Sequence, residues 1–326
     1  MPTYAEPPAL TFAWNVLDLI GRPFNLSATL ASGQSFRWRR DTNGVWWGVV
    51  DRTVVAAWQA EGSPDSPLYW QSFPQADQAE LVHDYLRLDV DLERLYADWT
   101  RTEPQIEGAL RAFRGLRILR QPPTECLFAF QCAACNTVVK IERSVAHLAA
   151  NYGRPLATGL AAGPDFGAGA TGSVPFYAFP TIDALASADE AVLRAGLWGY
   201  RAIRVIGLAR HLQTLPADWL PALRHAPYSE AHAALSNLFG IGAKLADCIC
   251  LFALDKDGAV PIDTHVRQIA VRLFLPELAG KSLTPRVYGL LADAYRQRFG
   301  AYAGWAQQYL FFGQLQRAEG YREPAE

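Results

Sequence analysis

The chain has 326 residues, 50% of them hydrophobic and 19% charged, with 30 Lys and Arg against 32 Asp and Glu for a formal charge of −2. That length and apolar content exclude a disordered or fibrous protein and allow a substantial core shared by two or three subdomains. The near-neutral balance argues against wholesale coating of a nucleic acid, whose nonspecific affinity comes from phosphate neutralisation by Lys and Arg, but leaves room for a small footprint.

The N-terminus, Met1-Pro-Thr-Tyr-Ala-Glu-Pro-Pro8, lacks the basic and apolar regions of a signal peptide, and no later apolar run reaches the ~20 residues that span a bilayer. From Pro23 to about Gln71 apolar residues alternate: Phe24, Leu26, Ala28 and Leu30, then Phe36 and Trp38. Asn43-Gly44 predicts a turn into Val45–Val50, and Asp51-Arg52 a second turn into Thr53–Trp58, giving an antiparallel, tryptophan-rich sheet. After Gln75 the period becomes helical (Leu81, Tyr85, Leu92, Leu95, Tyr96) and no further strand is predicted. Pro122-Pro123-Thr124 opens a long helical stretch towards Tyr152-Gly153, and the glycine- and alanine-rich segment Thr158 to Gly172 reads as a mobile loop. Further helices are predicted over 182–196, 200–215, 230–238, 243–254, 264–273, 284–299 and 302–316. The fold class expected is therefore α+β, with an N-terminal antiparallel sheet subdomain and its following helices over 10–108 and an all-helical domain over 109–326.

Five cysteines, Cys126, Cys132, Cys135, Cys248 and Cys250, lie in apolar helical context, and an odd number argues against a disulfide framework. Cys132 and Cys135 form a C-x-x-C, but no second pair or histidine cluster completes a zinc tetrad, so no metal and no cofactor are expected.

Chemistry concentrates between Leu238 and His265. Gly240 and Gly242 sit between two helical segments, so the turn is expected to take angles that other residues resist and to bare N–H groups at the start of the second helix. Those groups and the positive end of the helix dipole suit a DNA phosphate. Lys244 falls in the first turn of that helix, where the dipole disfavours another positive charge, which predicts a lowered pKa and a neutral amine nucleophile. Pro261 ends the following apolar run and Asp263 stands at an N-cap position, so lysine and aspartate can face one pocket. Each feature alone also reads more plainly, as a tight turn, a surface lysine and a capped helix; the combination is what favours chemistry.

The hairpin lysine followed by Val260-Pro-Ile-Asp263 resembles the helix-hairpin-helix base-excision DNA glycosylases. The stretches Ala31-Ser-Gly-Gln-Ser-Phe-Arg-Trp38, Ile118-Leu-Arg-Gln121, Glu125-Cys-Leu-Phe128, Gly199-Tyr-Arg-Ala202, Ala246-Asp-Cys-Ile-Cys250 and Gly304-Trp-Ala-Gln307 narrow the resemblance to the eukaryotic-type 8-oxoguanine DNA glycosylase family. It implies a bifunctional glycosylase and lyase on duplex DNA containing oxidised guanine, monomeric, cytoplasmic and nucleoid-associated in a bacterium or nuclear in a eukaryote. Lys244 would attack the sugar, and Asp263 would stabilise the cleaving glycosidic bond.

For the base, the resemblance implies Gly33, whose carbonyl would accept from the N7–H that oxidised guanine has, Gln307 for the Watson–Crick edge, and Cys248 and Phe311 as a sandwich. Without it, Gly33 reads more plainly as a turn glycine between two strands, and Gln307 and Phe311, four apart on one helix face, equally as core packing. Tyr200 and Arg201 resemble a wedge and a cytosine contact, or else a buried tyrosine beside a surface arginine. His265 would contact phosphate, as would the hairpin at Gly240 and Gly242. The chain departs from the family at Phe130-Gln-Cys-Ala-Ala-Cys-Asn-Thr137, where a run of asparagines is usual: a single Asn136 remains, and Lys140 replaces an arginine, which bears on reading of the opposite base. Two rivals are an alkylpurine glycosylase of the same superfamily, which typically lacks the lysine, and a non-catalytic helix-hairpin-helix DNA-binding protein.

Overall fold

The turn at residues 41–45 is set by one side chain. Asp41 Oδ1 accepts from the N–H groups of Asn43 and Val45, both at 2.9 Å, and its Oδ2 accepts from Trp47 Nε1 at 2.9 Å. Gly44, at φ +80°, completes the reversal between strands β2 (Arg39–Arg40) and β3 (Trp46–Val50). Asp51, at φ +54°, turns the chain into β4 (Thr53–Trp58). With β1 (Asn15–Leu17) and β5 (Leu68–Phe73) they form a five-stranded antiparallel sheet in the order β1-β5-β4-β3-β2. The computed structural model describes residues 4–9, 12–19, 21–133, 136–160, 163–167 and 175–318.

The alternation from Phe24 to Leu30 is not a strand. It forms helix α1 (Leu26–Ala31), because Asn25 caps it, accepting from Ala28 N at 2.9 Å, and Leu26, Ala28 and Leu30 are all buried in so short a helix. Both sheet faces are covered. One packs Trp38, Val55, Leu68 and Trp70 against Leu26, Leu30 and Tyr85; the other packs Val45, Trp47, Val49 and Val54 beneath Phe12, Trp14, Phe166 and Phe176. A sheet buried on both sides carries continuous apolar runs, which is why β3 and β4 show little alternation.

Helices α2 (Ala79–Tyr85), α3 (Leu92–Thr102) and α4 (Glu107–Ala112) follow. The single long helix expected after Pro122 is two, α5 (Pro123–Ala133) and α6 (Val138–Tyr152), with Thr137 at the N-cap of the second. Two short strands expected nowhere, β6 (Pro155–Leu156) and β7 (Phe176–Tyr177), pair across the base of the glycine-rich segment. Part of that segment, 161–162 and 168–172, lies outside the described residues, but its middle is pinned: Thr42 N donates to Asp165 O at 2.8 Å, and Arg39 stacks 4.0 Å over Phe166.

The remaining helices are α7 (Ile182–Ala186), α8 (Glu190–Leu193), α9 (Arg201–Leu212), α10 (Trp219–Ala222), α11 (Tyr228–Ser236), α12 (Ala243–Ala253), α13 (Thr264–Leu273), α14 (Pro285–Phe299) and α15 (Ala303–Ala318). The segment predicted as one helix over 182–196 splits into α7, α8 and a wide turn over Arg194–Trp198, within which Leu197 takes φ +68°. One large core joins these helices, and α3 belongs to it: Tyr96 and Tyr309 share a 2.6 Å hydrogen bond, and Trp99 meets Phe299 edge-on. Among the described residues no helix is long and apolar enough to cross a membrane.

Candidate active site

Helix α11 ends at Ser236 and α12 begins at Ala243, with the hairpin between them. Gly240 has φ +83°, a left-handed angle, and a Cβ there would come within 3.2 Å of Arg204 Cδ. Gly242 differs from expectation. Its φ of −96° and ψ of 176° are extended backbone open to any residue, so only Gly240 supplies the unusual angle. A Cβ on Gly242 would meet nothing within 4 Å, so the N-terminus of α12 stays uncovered.

Lys244 lies in the first turn of α12, and its Nζ sits 5.7 Å from the centre of the Phe130 ring. The expectation of a lowered amine pKa is not met. Burial does oppose a charge on Lys244, but the Cys248 sulfur beside it and the Asp263 carboxylate outweigh burial, and the pKa is raised. The Cys248 thiol is pushed up to about 11, chiefly by burial, so it remains a neutral wall at neutral pH.

Asp263 caps α13 as its sequence position predicts, accepting from Val266 N at 2.8 Å. Pro261 and Ile262, both buried, carry the chain to it from the end of α12. Lys244, Asp263, Gly33, Cys248, Gln307 and Phe311 all line one cavity of about 60 Å³, together with Phe130, Phe252, Pro261, Val266 and Gln308. That volume is far below the roughly 300–1,000 Å³ of pockets that enclose small ligands, so a purine enters only if the walls part.

Gly33 follows α1 at φ +76°, and a Cβ there would meet nothing within 4 Å, so its backbone faces open space. The turn that holds it is heavily tied. Gln34 Nε2 donates to Thr29 O at 2.9 Å and Arg117 O at 2.8 Å, its Oε1 accepts from Leu119 N at 2.8 Å, and Gln308 Nε2 donates to Ser32 O at 2.9 Å. The Ser-Gly-Gln and Ile-Leu-Arg-Gln stretches are thus two halves of one brace. Gln307 is 3% exposed, yet its Oε1 has no hydrogen-bond partner among the described residues. A buried amide left in this condition is poised for a polar ligand. His265 meets Phe311 edge-on, with 6.2 Å between ring centres.

Phe130 and Phe252 were not singled out by sequence. They stack at 5.4 Å with 14° between their planes and form the floor under Lys244. Phenylalanines in apolar helices look like any core residue, so no sequence signal separated them.

The residues expected to read the opposite strand lie elsewhere. Tyr200 is 53% exposed, with Arg201 stacked at 4.5 Å and Arg204 at 5.1 Å from its ring. Arg201 itself is 8% exposed, so the plainer alternative is inverted: the tyrosine is exposed and the arginine buried. Asn136 Nδ2 donates to Cys132 O at 3.4 Å, and Lys140 is exposed on α6. Cys135 lies outside the described residues. Val138, Val139, Ile203 and Phe239 are also exposed, and a Cβ on Gly207, four residues after Ile203 on α9, would lie 3.8 Å from Phe239.

An antiparallel sheet set against helices that carry this hairpin is the architecture of a helix-hairpin-helix DNA glycosylase. Residues 16–127 match the family model for the 8-oxoguanine DNA glycosylase, N-terminal domain. The chain is 35% identical to N-glycosylase/DNA lyase OGG1 of Arabidopsis thaliana over 93% of this chain and 80% of that protein. It is 33% identical to the N-glycosylase/DNA lyase of Saccharomyces cerevisiae over 72% of this chain and 66% of that one. Among solved structures, the Clostridium acetobutylicum 8-oxoguanine glycosylase/lyase in complex with DNA containing cytosine opposite 8-oxoG aligns with a TM-score of 0.75 and 25% identity, covering 91% of this chain and 93% of that one. The chain belongs to the OGG1 family of N-glycosylase/DNA lyases.

Proposed function

We propose that this chain excises 8-oxoguanine from duplex DNA and then nicks the strand. The observation that carries the reading is the convergence of Lys244 and Asp263 on one cavity in a member of this family. Lys244, held as an ammonium, first gives up a proton. Its Nζ attacks C1′ of the flipped nucleotide, the C1′–N9 bond breaks, and the base leaves with the bonding pair and takes up a proton. Asp263 stabilises the positive charge that develops on the sugar. Ring opening gives a Schiff base between Lys244 and C1′, loss of a C2′ proton expels the 3′ phosphate, and hydrolysis frees the enzyme.

Gly33 offers its carbonyl to N7–H, Gln307 satisfies its open amide on the Watson–Crick edge, and Cys248 and Phe311 sandwich the ring. Phosphates sit at the hairpin over Gly240 and Gly242 and at His265, while Tyr200 fills the space left by the base. Asn136, Lys140 and Arg201 face the orphaned cytosine, Arg201 after rearranging from its buried position. In this reading the sheet subdomain (10–108) buttresses the Gly33 turn and the helical domain (109–326) carries the chemistry. The enzyme acts as a monomer, in the nucleoid of a bacterium or the nucleus of a eukaryote.

Borohydride trapping on an 8-oxoguanine duplex tests the reading. Wild type forms a reduced covalent adduct, and Lys244→Gln binds the lesion but forms none. An adduct with Lys244→Gln would make another amine the nucleophile.

A further inference from the structure

Beside the cavity, on the same helix α12, lies a carboxylate with no part in the chemistry above. Asp247 is 0% exposed. Tyr228 OH donates to its Oδ1 at 2.7 Å and Tyr288 OH to its Oδ2 at 2.5 Å, while His232 Nε2 stands 3.8 Å from Oδ2. Among the described residues no lysine or arginine forms a salt bridge with it; Arg296 is linked to it through Tyr228, donating to that hydroxyl at 2.9 Å. Burying a carboxylate is costly, and replacing buried ionic groups with well-packed apolar side chains is often neutral or stabilising. Plain core filling therefore does not explain an aspartate here.

What the group connects does explain it. Tyr288 OH, while donating to Asp247, accepts from Ile262 N at 3.2 Å. Ile262 immediately precedes Asp263, and Asp247 is three residues, about one turn, beyond Lys244 on α12. The chain Asp247–Tyr288–Ile262 thus ties the helix that bears the amine to the loop that bears the carboxylate, through α14, which supplies neither. His232 Nε2 also lies 3.3 Å from Ala243 O, at the start of the same helix.

We infer that Asp247 and Tyr288 form a positioning clamp that sets Asp263 against Lys244 for glycosidic bond cleavage. The inference rests on the roles proposed above for those two residues. A phenol that donates to a carboxylate is polarised towards accepting, so the Ile262 N–H bond and the Asp247 bond reinforce each other. Removing the Tyr288 hydroxyl releases the loop without changing any cavity wall.

Single-turnover excision of 8-oxoguanine and cleavage of a preformed abasic duplex, measured side by side for wild type, Tyr288→Phe and Lys244→Gln, test the clamp. Base excision needs Asp263 in register and should fall about tenfold in Tyr288→Phe, while abasic cleavage, which depends on the amine, should fall less than about threefold. Lesion binding should stay within about twofold, because the hydroxyl lies outside the cavity. A ratio of the two rates unchanged from wild type overturns the clamp, whether both rates are normal or both fall together as in a merely structural role. If Tyr288→Phe does not fold, Asp247→Asn, isosteric but with one acceptor oxygen for two tyrosine donors, reads the same ratio. Covalent trapping by Lys244→Gln would instead overturn the roles proposed for the cavity, an outcome separate from failure of the clamp.

Discussion

At the base cavity, the working groups are enclosed and held: Asp263 by Val266 N, the Gly33 turn by Gln34 and Gln308, Cys248 by its helix and the Lys244 amine. At the face formed by α6, the start of α9 and the hairpin, Tyr200, Val139 and Phe239 stand 53%, 55% and 59% exposed, and Lys140 reaches into solvent. The first region holds its groups by packing and hydrogen bonds; the second offers shape and charge to a partner that brings its own geometry. Substitutions should therefore have steep effects in the cavity and graded ones on the face.

The steepest test after loss of the nucleophile is Asp263→Asn. Asparagine can keep the cap to Val266 while removing the charge, so single-turnover excision should fall on the order of 10²–10³-fold with little change in melting temperature. Equal activity would remove the carboxylate from the mechanism and blur the contrast.

The raised amine pKa gives a pH test of the same region. If Lys244 is the nucleophile as proposed, only its neutral amine attacks while the raised pKa favours the ammonium in the free enzyme, so kcat/KM should climb about tenfold per pH unit through the neutral range, with no plateau below the ordinary lysine value of about 10.4. The sign follows for stability too. A folded pKa above the unfolded one stabilises fully below the unfolded value, and that contribution disappears as pH rises through the folded one. A rate plateau near pH 8 would mean that the free enzyme already presents a neutral amine.

On the exposed face effects should be smaller. Lys140 is a point donor where a guanidinium would offer a planar fork, so wild type should favour cytosine opposite the lesion yet still excise opposite thymine, guanine and adenine. Lys140→Arg should sharpen that preference by about threefold to tenfold, roughly one charge-assisted hydrogen bond. Single-turnover rates with all four opposite bases measure it; strict cytosine dependence in wild type would place recognition on Tyr200 and Arg201 instead. The smallest effect expected is at Leu197, whose φ of +68° is strained for a side chain. Leu197→Gly should relieve ~1 kcal/mol of that strain and raise the melting temperature by about 2 °C. A lower melting temperature would show that leucine packing there outweighs its backbone.

Much of this contrast was legible in the chain. Asn43-Gly44 and Asp51-Arg52 marked their turns because the φ values needed favour those residues, and Asp263 announced a cap because few other residues satisfy the first free N–H groups. Where two periods fit equally, as from Phe24 to Leu30, one capping side chain decided for helix over strand. β1 and β5 stayed hidden because their pairing is with distant strands, and β5 meets both β1 and β4. Phe130 and Phe252 were invisible because a cavity floor has the composition of a core. The direction of the Lys244 shift depended on a sulfur and a carboxylate brought near by folding, which local helix position does not reveal.

The walls of the cavity run from Gly33 to Phe311, and the Gln308 to Ser32 hydrogen bond joins residues 276 apart in the chain. A polypeptide still on the ribosome can finish its sheet and form the hairpin helices, since these are local, but it cannot close the cavity until α15 has emerged and docked. On the roles proposed here, competence for excision therefore arrives last: a nascent or truncated chain that lacks the final helix has Lys244, Asp263, Gly33 and Cys248 but neither Gln307 nor Phe311, so one side of the cavity is open until α15 docks.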